Sequence, residues 1–290
     1  MDSKTRRKFL RDRVNQRNGL IVPGAFNAMS ARMIADLGYE VAYLSGAGLT
    51  NMYYAAPDLG IIGLRDVAEC TTRIREAVDL PLIVDGDTGF GNAVNVYHTV
   101  RTLEHAGADA IQLEDQTFPK RCGHFAGKDV APLPEMLSKI RAAVDARQDE
   151  NFLIIARTDA RATLGFEAAI DRARQCAEAG ADILFVEATE SLEEVRQVPK
   201  LLDRPQIINL VIGGKTPALD ASELAQMGYG IVLYANAALQ GAMLGMQRAL
   251  GALKRDGRLD EDPDLVAPFR ERQRLVNKPL FDELEKRYTV

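Results

Sequence analysis

Short apolar runs recur along the chain at 20–23, 41–45, 81–85, 110–114, 152–157, 183–187, 206–210 and 230–235. Their length suits strands rather than helices. Between most of them lie segments with the apolar spacing of a helix, as at 67–78, 94–106 and 166–179. Several helical segments end on glycine just before the next run: Leu37-Gly38-Tyr39, Ala106-Gly107-Ala108, Ala179-Gly180-Ala181 and Met227-Gly228-Tyr229. Glycine there supplies the left-handed residue that terminates a helix. Ala-Gly-Ala-Asp appears twice, at 106–109 and 179–182, as a faint repeat of one helix-to-strand unit. The runs are nearly continuous in apolar character, which suits a parallel sheet covered by helices. Eight such units predict a single (β/α)8 barrel domain of the TIM type over residues 1–290.

A doubly wound sheet would show the same periodicity, and the strand ends help to choose between the two. Polar residues gather at the C-terminal end of almost every run: Ser45, Asp85 and Asp87, Glu114 and Asp115, Arg157 and Asp159, Glu187, Asn209 and Asn236. In a barrel these ends converge on one face, whereas a doubly wound sheet gathers function at one crevice. The spread favours the barrel. Beyond it, 236–253 is rich in Ala, Leu, Met and Gly and reads as a closely packed helix. A polar connector follows over 254–268, then a charged helical tail over 270–288. This extension, 254–290, is expected either to pack on a neighbouring subunit or to lie as a surface tail.

Composition narrows the partners. With 47% hydrophobic and 27% charged residues the chain can bury a large core. A net charge of −5 argues against nucleic acid or an anionic membrane as partner. The first 18 residues are charged throughout, with no apolar signal segment, and no run is long enough to span a bilayer. Three cysteines far apart do not form a disulfide framework, which points to a reducing, cytoplasmic setting.

The chemistry gathers at Lys120-Arg121-Cys122-Gly123-His124. A thiol among cations is pushed toward thiolate and can give and take protons near neutral pH. The competing reading is a solvated basic loop with an incidental cysteine. Cys70 and Cys176 sit in apolar runs, as buried structural cysteines do. Asp85-Gly86-Asp87 ends one strand and Glu114 the next, an oxygen-rich set suited to Mg²⁺, or Mn²⁺ in its place. Alone, Asp-x-Asp is more often turn chemistry than a metal site, and the second acidic strand end is what strengthens it. Gly89-Phe90-Gly91 reads as a turn or close-approach device, not a phosphate loop. Ser45-Gly46-Ala47-Gly48 either offers backbone N–H groups to a carboxylate or makes a tight turn.

Taken together, Tyr43-Leu44-Ser45-Gly46, Asp85-Gly86-Asp87-Thr88-Gly89-Phe90-Gly91, Glu114-Asp115-Gln116 and Lys120-Arg121-Cys122-Gly123-His124 resemble the isocitrate lyase/phosphoenolpyruvate mutase superfamily over about residues 20–253. The cysteine is like that of its carbon–carbon lyases. Phe118–His124 and Asn209-Leu210-Val211-Ile212-Gly213-Gly214-Lys215-Thr216-Pro217 are most similar to the 2-alkylmalate branch. A departure is Ile212, where relatives often carry an acidic residue.

The resemblance implies a Mg²⁺-dependent lyase acting on a 2-hydroxy dicarboxylate such as 2,3-dimethylmalate, releasing an α-keto acid such as pyruvate and a carboxylic acid. Asp85 would touch the metal directly; Asp58, Asp87 and Glu114 would act largely through waters. Arg157, His124, Glu187 and Asn209 match positions around the departing carboxylate, with Ser45, Gly46, Ala47, Gly123 and Thr216 at the substrate and Lys120 beside the thiol. Cys122 would protonate the carbanion. Tyr43 or a metal-bound hydroxide would be the base. Alternatives within the superfamily are a 2-methylisocitrate lyase, an oxaloacetate hydrolase or decarboxylase, and a phosphonopyruvate-type enzyme. A homo-oligomer, a dimer of dimers, is expected. A catalytically silent barrel serving as a binding or assembly protein is the reading from another class.

Overall fold

The computed structural model describes residues 1–290 except Cys122, His124, Phe125, Ala126, Lys215, Ala218 and Val290. Its strands are β1 (Leu20–Ala25), β2 (Ala42–Leu44), β3 (Leu82–Asp85), β4 (Ala110–Glu114), β5 (Leu153–Thr158), β6 (Ile183–Val186), β7 (Gln206–Asn209) and β8 (Ile231–Tyr234). The helices begin with α1 (Ser3–Asn15), α2 (Ala28–Asp36), α3 (Gly46–Tyr54), α4 (Leu64–Ala77), α5 (Ala93–Ala106), α6 (Leu133–Ala146) and α7 (Arg161–Leu164). They continue with α8 (Phe166–Glu178), α9 (Leu192–Leu201), α10 (Ala221–Met227), α11 (Ala237–Asp256), α12 (Phe269–Leu275) and α13 (Lys278–Tyr288).

All eight strands pair in parallel, each with the next, and β8 closes on β1. The expected (β/α)8 barrel is therefore present, and each predicted run overlaps a strand, with β1 and β5 extending past theirs to Ala25 and Thr158. The continuous apolar runs serve two cores at once. Residues alternate in direction along a strand, so Leu44, Val84, Ile111, Leu113, Ile154, Leu184, Ile208 and Val232 pack outward against the helices. Their neighbours Tyr43, Ile83, Ala110, Ile155, Phe185, Ile207 and Leu233 form a separate cluster filling the barrel. Glycines end the helices as expected: Gly107 and Gly228 adopt φ of 105° and 96°.

The charged N-terminus is not a loose segment. It forms α1, on which Arg6, Leu10 and Val14 share one face at helical spacing. Leu10 and Val14 join the inner cluster and plug the N-terminal mouth of the barrel. Asp109, fully buried, accepts from Arg6 Nε at 2.9 Å, Arg75 Nη2 at 2.8 Å and Leu82 N at 2.9 Å. Hydrophobic periodicity misses this helix because half of its buried face is arginine.

The chain divides into two compact units, Met1–Ala237 and Ala238–Val290, the second beginning ahead of residue 254. In the second unit α11 is not closely packed: Met243, Leu244, Met246, Leu250 and Leu253 are all exposed. The charged tail is two helices rather than one. Asn277 at φ 55° breaks it, and Pro279 opens α13.

Candidate active site

The alternation that fills the barrel also aims the site. Continuing the inward parity of each strand by two residues leads from Tyr43 to Ser45, Ile83 to Asp85, Gln112 to Glu114, Ile155 to Arg157, Phe185 to Glu187 and Ile207 to Asn209. All of these except Ile83, Gln112, Ile155 and Ile207 line one narrow cavity of about 40 Å³ at the C-terminal mouth, with Ala47, Asp58, Lys120, Arg121, Gly123, Val211 and Asn236.

On one side stands the acidic set. Asp85 Oδ2 accepts from Gly46 N at 3.2 Å, and Oδ1 from Asp87 N at 3.2 Å and Gln112 Nε2 at 3.4 Å. Glycine at 46 leaves room for both carboxylates: a Cβ would crowd Asp85 Oδ2 at 3.1 Å and Asp87 Oδ1 at 3.3 Å. Gly86 lets the strand end press on β4, where a Cβ would meet Gln112 O at 2.9 Å. Gly89, at φ 90°, leaves room for Val96, so the following turn is the close-approach device expected. The Ser45–Gly48 stretch is the first turn of α3, with Ser45 Oγ capping Gly48 N at 3.0 Å.

Lys120 reaches into this set. Its Nζ lies 2.5 Å from Asp58 Oδ1 and 2.8 Å from Asp87 Oδ1. Burial opposes the ammonium, but Asp87, Glu114, Asp85 and Asp58 outweigh it and hold its pKa above the ordinary lysine value. Asp87 is pushed up to about 7, because burial and the nearby Asp85 and Asp58 outweigh Lys120. Burial likewise raises Glu114 well above the carboxylate range against the pull of Arg157 and Lys120.

On the other side Arg157 lies 3.4 Å from Glu114 Oε2 and 3.9 Å from Glu187 Oε2, with its guanidinium over the Phe185 ring at 5.4 Å. Asp159 grips it from behind, Oδ2 to Nε at 2.9 Å and Oδ1 to Nη2 at 3.1 Å. Asp159 is drawn down to about 2: burial opposes its charge, and Arg157 and Lys128 prevail. Tyr43 is raised well above the usual phenol value by burial and then Asp85, so it is a phenol at neutral pH.

The carboxylates fit a divalent cation. Asp58, Asp85, Glu114 and Glu187 line this pocket against Lys120, Arg121 and Arg157, while Asp87 does not line it and is tied to it through Lys120. Glu114 Oε1 is buried without a hydrogen-bond partner among the described residues. Among those residues no three His, Cys, Asp or Glu side chains form a self-sufficient metal cage. Magnesium tolerates that, since it keeps waters and takes one or two direct carboxylates.

Cys122 and His124 lie outside the described residues, as does Lys215. Their flanks are described: the Gln116 side chain donates to Arg121 O and accepts from Arg121 N, both at 2.8 Å. Thr216 does not line the cavity. Of Leu210, Val211 and Ile212 only Val211 does; Leu210 packs in the outer core and Ile212 is exposed. Cys176 is buried, but Cys70 is only partly so. Gln112, Phe185 and Lys128 were not singled out from sequence. A lone glutamine inside the apolar strand Ala110–Glu114 was the available signal for the first.

Comparison with known proteins agrees with this geometry. Residues 10–254 match the family model described as phosphoenolpyruvate phosphomutase. The chain belongs to the phosphoenolpyruvate mutase/isocitrate lyase superfamily. It is 39% identical to 2,3-dimethylmalate lyase of Eubacterium barkeri over 281 residues, 97% of each chain. It is 47% identical to 2-methylisocitrate lyase of Aeropyrum pernix over 225 residues, 78% of this chain and 72% of that one. A crystal structure of 2,3-dimethylmalate lyase superposes with TM-score 0.91 at 33% identity, covering 99% of this chain and 95% of the other. A phosphonopyruvate hydrolase complex with oxalate and Mg²⁺ superposes with TM-score 0.86 at 31% identity, covering 98% and 99%. The protein is thus a lyase-type enzyme of this superfamily.

Proposed function

We propose that this superfamily member is a Mg²⁺-dependent carbon–carbon lyase that cleaves a 2-hydroxy-2-alkyl dicarboxylate, such as 2,3-dimethylmalate, to pyruvate and a carboxylic acid. The observation that carries the reading is the opposition, within one cavity, of the Asp85–Glu114 acidic side and the Arg157–Asn209 side. Bound by Asp85, with Asp58, Asp87 and Glu114 around it, Mg²⁺ would supply Lewis acidity toward the carboxylate and hydroxyl of the substrate.

The protein's own groups account for the rest. As the C2 hydroxyl gives its proton to a water held among Asp58, Asp85 and Glu114, which passes it on to solvent, the C2–C3 electron pair passes to C3, whose neighbouring carboxylate takes up the charge. Arg157, fixed by Asp159, and Asn209 stand where that charge develops. The Cys122 thiol gives its proton to C3. Tyr43, neutral in this setting, donates a hydrogen bond to the C2 oxygen. Gly123 and Arg121 help to close the cavity against water.

For the substrate, Val211 offers an apolar wall and the match with 2,3-dimethylmalate lyase extends over nearly the whole chain. A carboxylate left against such a wall costs several kcal/mol. 2-Methylisocitrate is the second reading, favoured by the higher identity to a lyase of that name. The deciding measurement is kcat/KM for 2,3-dimethylmalate against 2-methylisocitrate, with pyruvate release as the readout. A ratio below one overturns the alkylmalate reading, and full activity after exhaustive chelation overturns the metal. The exposed apolar residues of α11 support a homo-oligomer, a dimer of dimers, which light scattering tests. Among the described residues no helix is long and apolar enough to cross a membrane; a cytoplasmic setting is part of the proposal.

A further inference from the structure

Lys128 belongs to the segment between β4 and α6 that also carries Cys122, and its side chain is only 2% exposed. A buried ammonium is costly unless it is paired. This one donates to the carbonyl oxygen of Gly123, the residue after Cys122, and to Asp159 Oδ1 at 2.7 Å. The same Asp159 oxygen accepts from Arg157 Nη2 at 3.1 Å. Gly123 completes the ring, packed so closely that a Cβ would lie 2.5 Å from both Arg157 Nη2 and Glu187 Cγ.

The fold does not need Lys128 to close the neck of the segment. Backbone bonds already do so, from Thr117 N to Asp129 O at 2.9 Å and from Ala131 N to Asp115 O at 2.7 Å. What Lys128 adds is a link between the backbone beside the thiol and the carboxylate that aims the arginine.

We propose that Lys128 is a positioning residue: through Gly123 O and Asp159 it sets the Gly123 backbone, next in sequence to the thiol, and the Arg157 guanidinium as one unit. The role presupposes the lyase reading above. A proton donor and a charge-stabilising cation must act on the same nascent carbanion, and a misplacement of about 1 Å costs on the order of 10² in rate.

The test compares full-length wild type, Lys128→Met and Lys128→Arg in two assays. One is pyruvate release from 2,3-dimethylmalate. The other is alkylation of Cys122 by iodoacetamide, followed by mass spectrometry, which needs no turnover. Lys128→Met is expected to lower kcat by about 10²-fold with KM nearly unchanged, and to alter the Cys122 alkylation rate by about tenfold as the neighbouring backbone loses its tether. Lys128→Arg, which keeps the pairing with Asp159, should recover most of kcat. In an Asp159→Asn background the further loss from Lys128→Met should shrink to about threefold, because both changes cut the same link. Wild-type kcat and alkylation in Lys128→Met, or full additivity with Asp159→Asn, overturns the proposal. If wild type releases pyruvate from neither 2,3-dimethylmalate nor 2-methylisocitrate, the lyase reading falls and the alkylation assay alone decides the tether; if only 2-methylisocitrate is cleaved, the same variants are compared on that substrate. If Lys128→Met does not fold, Lys128→Arg and Asp159→Asn decide it in the same two assays.

Discussion

The ammonium of Lys120 stands 2.8 Å from Asp87 Oδ1, joining the thiol-bearing segment to the end of β3. The pair is buried, and Lys120 also holds Asp58 at 2.5 Å, so one lysine pairs with two carboxylates. Removing it leaves uncompensated buried charge, which typically costs about 3–5 kcal/mol. Lys120→Met is therefore expected to lower the melting temperature, and the drop should be larger in EDTA than in Mg²⁺, because a bound cation takes over part of the neutralisation. Equal drops in the two buffers would show that the metal does not sit among these carboxylates.

Within the acidic set, Asp85 has three hydrogen bonds fixing its two oxygens. Asp85→Ala should abolish Mg²⁺-dependent turnover, and Asp87→Ala should cost less. Isothermal titration with Mg²⁺ checks the order independently of turnover. Tighter binding to the Asp85 variant than to the Asp87 variant would reverse the assignment.

Cys122→Ser is expected to lose on the order of 10²–10⁴ in kcat while keeping affinity for Mg²⁺ and a keto acid. A hydroxyl with a far higher pKa cannot deliver the proton at a matched rate. Near-normal turnover by the serine variant would remove the thiol from the reaction.

The other two thiols provide an internal control. Burial pushes Cys70 and Cys176 each up to about 12. At pH 8 their thiolate fraction is then about 10⁻⁴, rising tenfold per pH unit toward 12. Iodoacetamide at pH 8 should modify Cys122 well before either. Rapid alkylation of Cys176 in the folded protein would contradict its burial.

At the opposite mouth, Asp109→Asn leaves Arg6 and Arg75 with a neutral partner. It should destabilise the fold by about 3–5 kcal/mol in urea titration and leave KM unchanged, since Asp109 pairs with Leu82 N at the start of β3. A changed KM with unchanged stability would be the contrary result.

The sequence by itself determined the barrel, because eight apolar runs, helical spacing between them and glycine stops are local signals that repeat. It also marked Asp85, Glu114, Arg157, Glu187 and Asn209, since each is a polar residue at the C-terminal end of an apolar run. Only the tertiary structure decided which residues of each run face inward: parity becomes visible once strand pairing separates the inner core from the outer. The same holds for Lys120, which sequence places beside the thiol and folding places between Asp58 and Asp87. Leu210, Val211 and Ile212 look alike as letters, yet one is core, one lines the site and one meets solvent. α1 went unseen because its buried face pairs arginines with Asp109 and Glu104, residues about a hundred positions away. Long-range charge pairing leaves no periodic trace along a chain, whereas hydrophobic burial does.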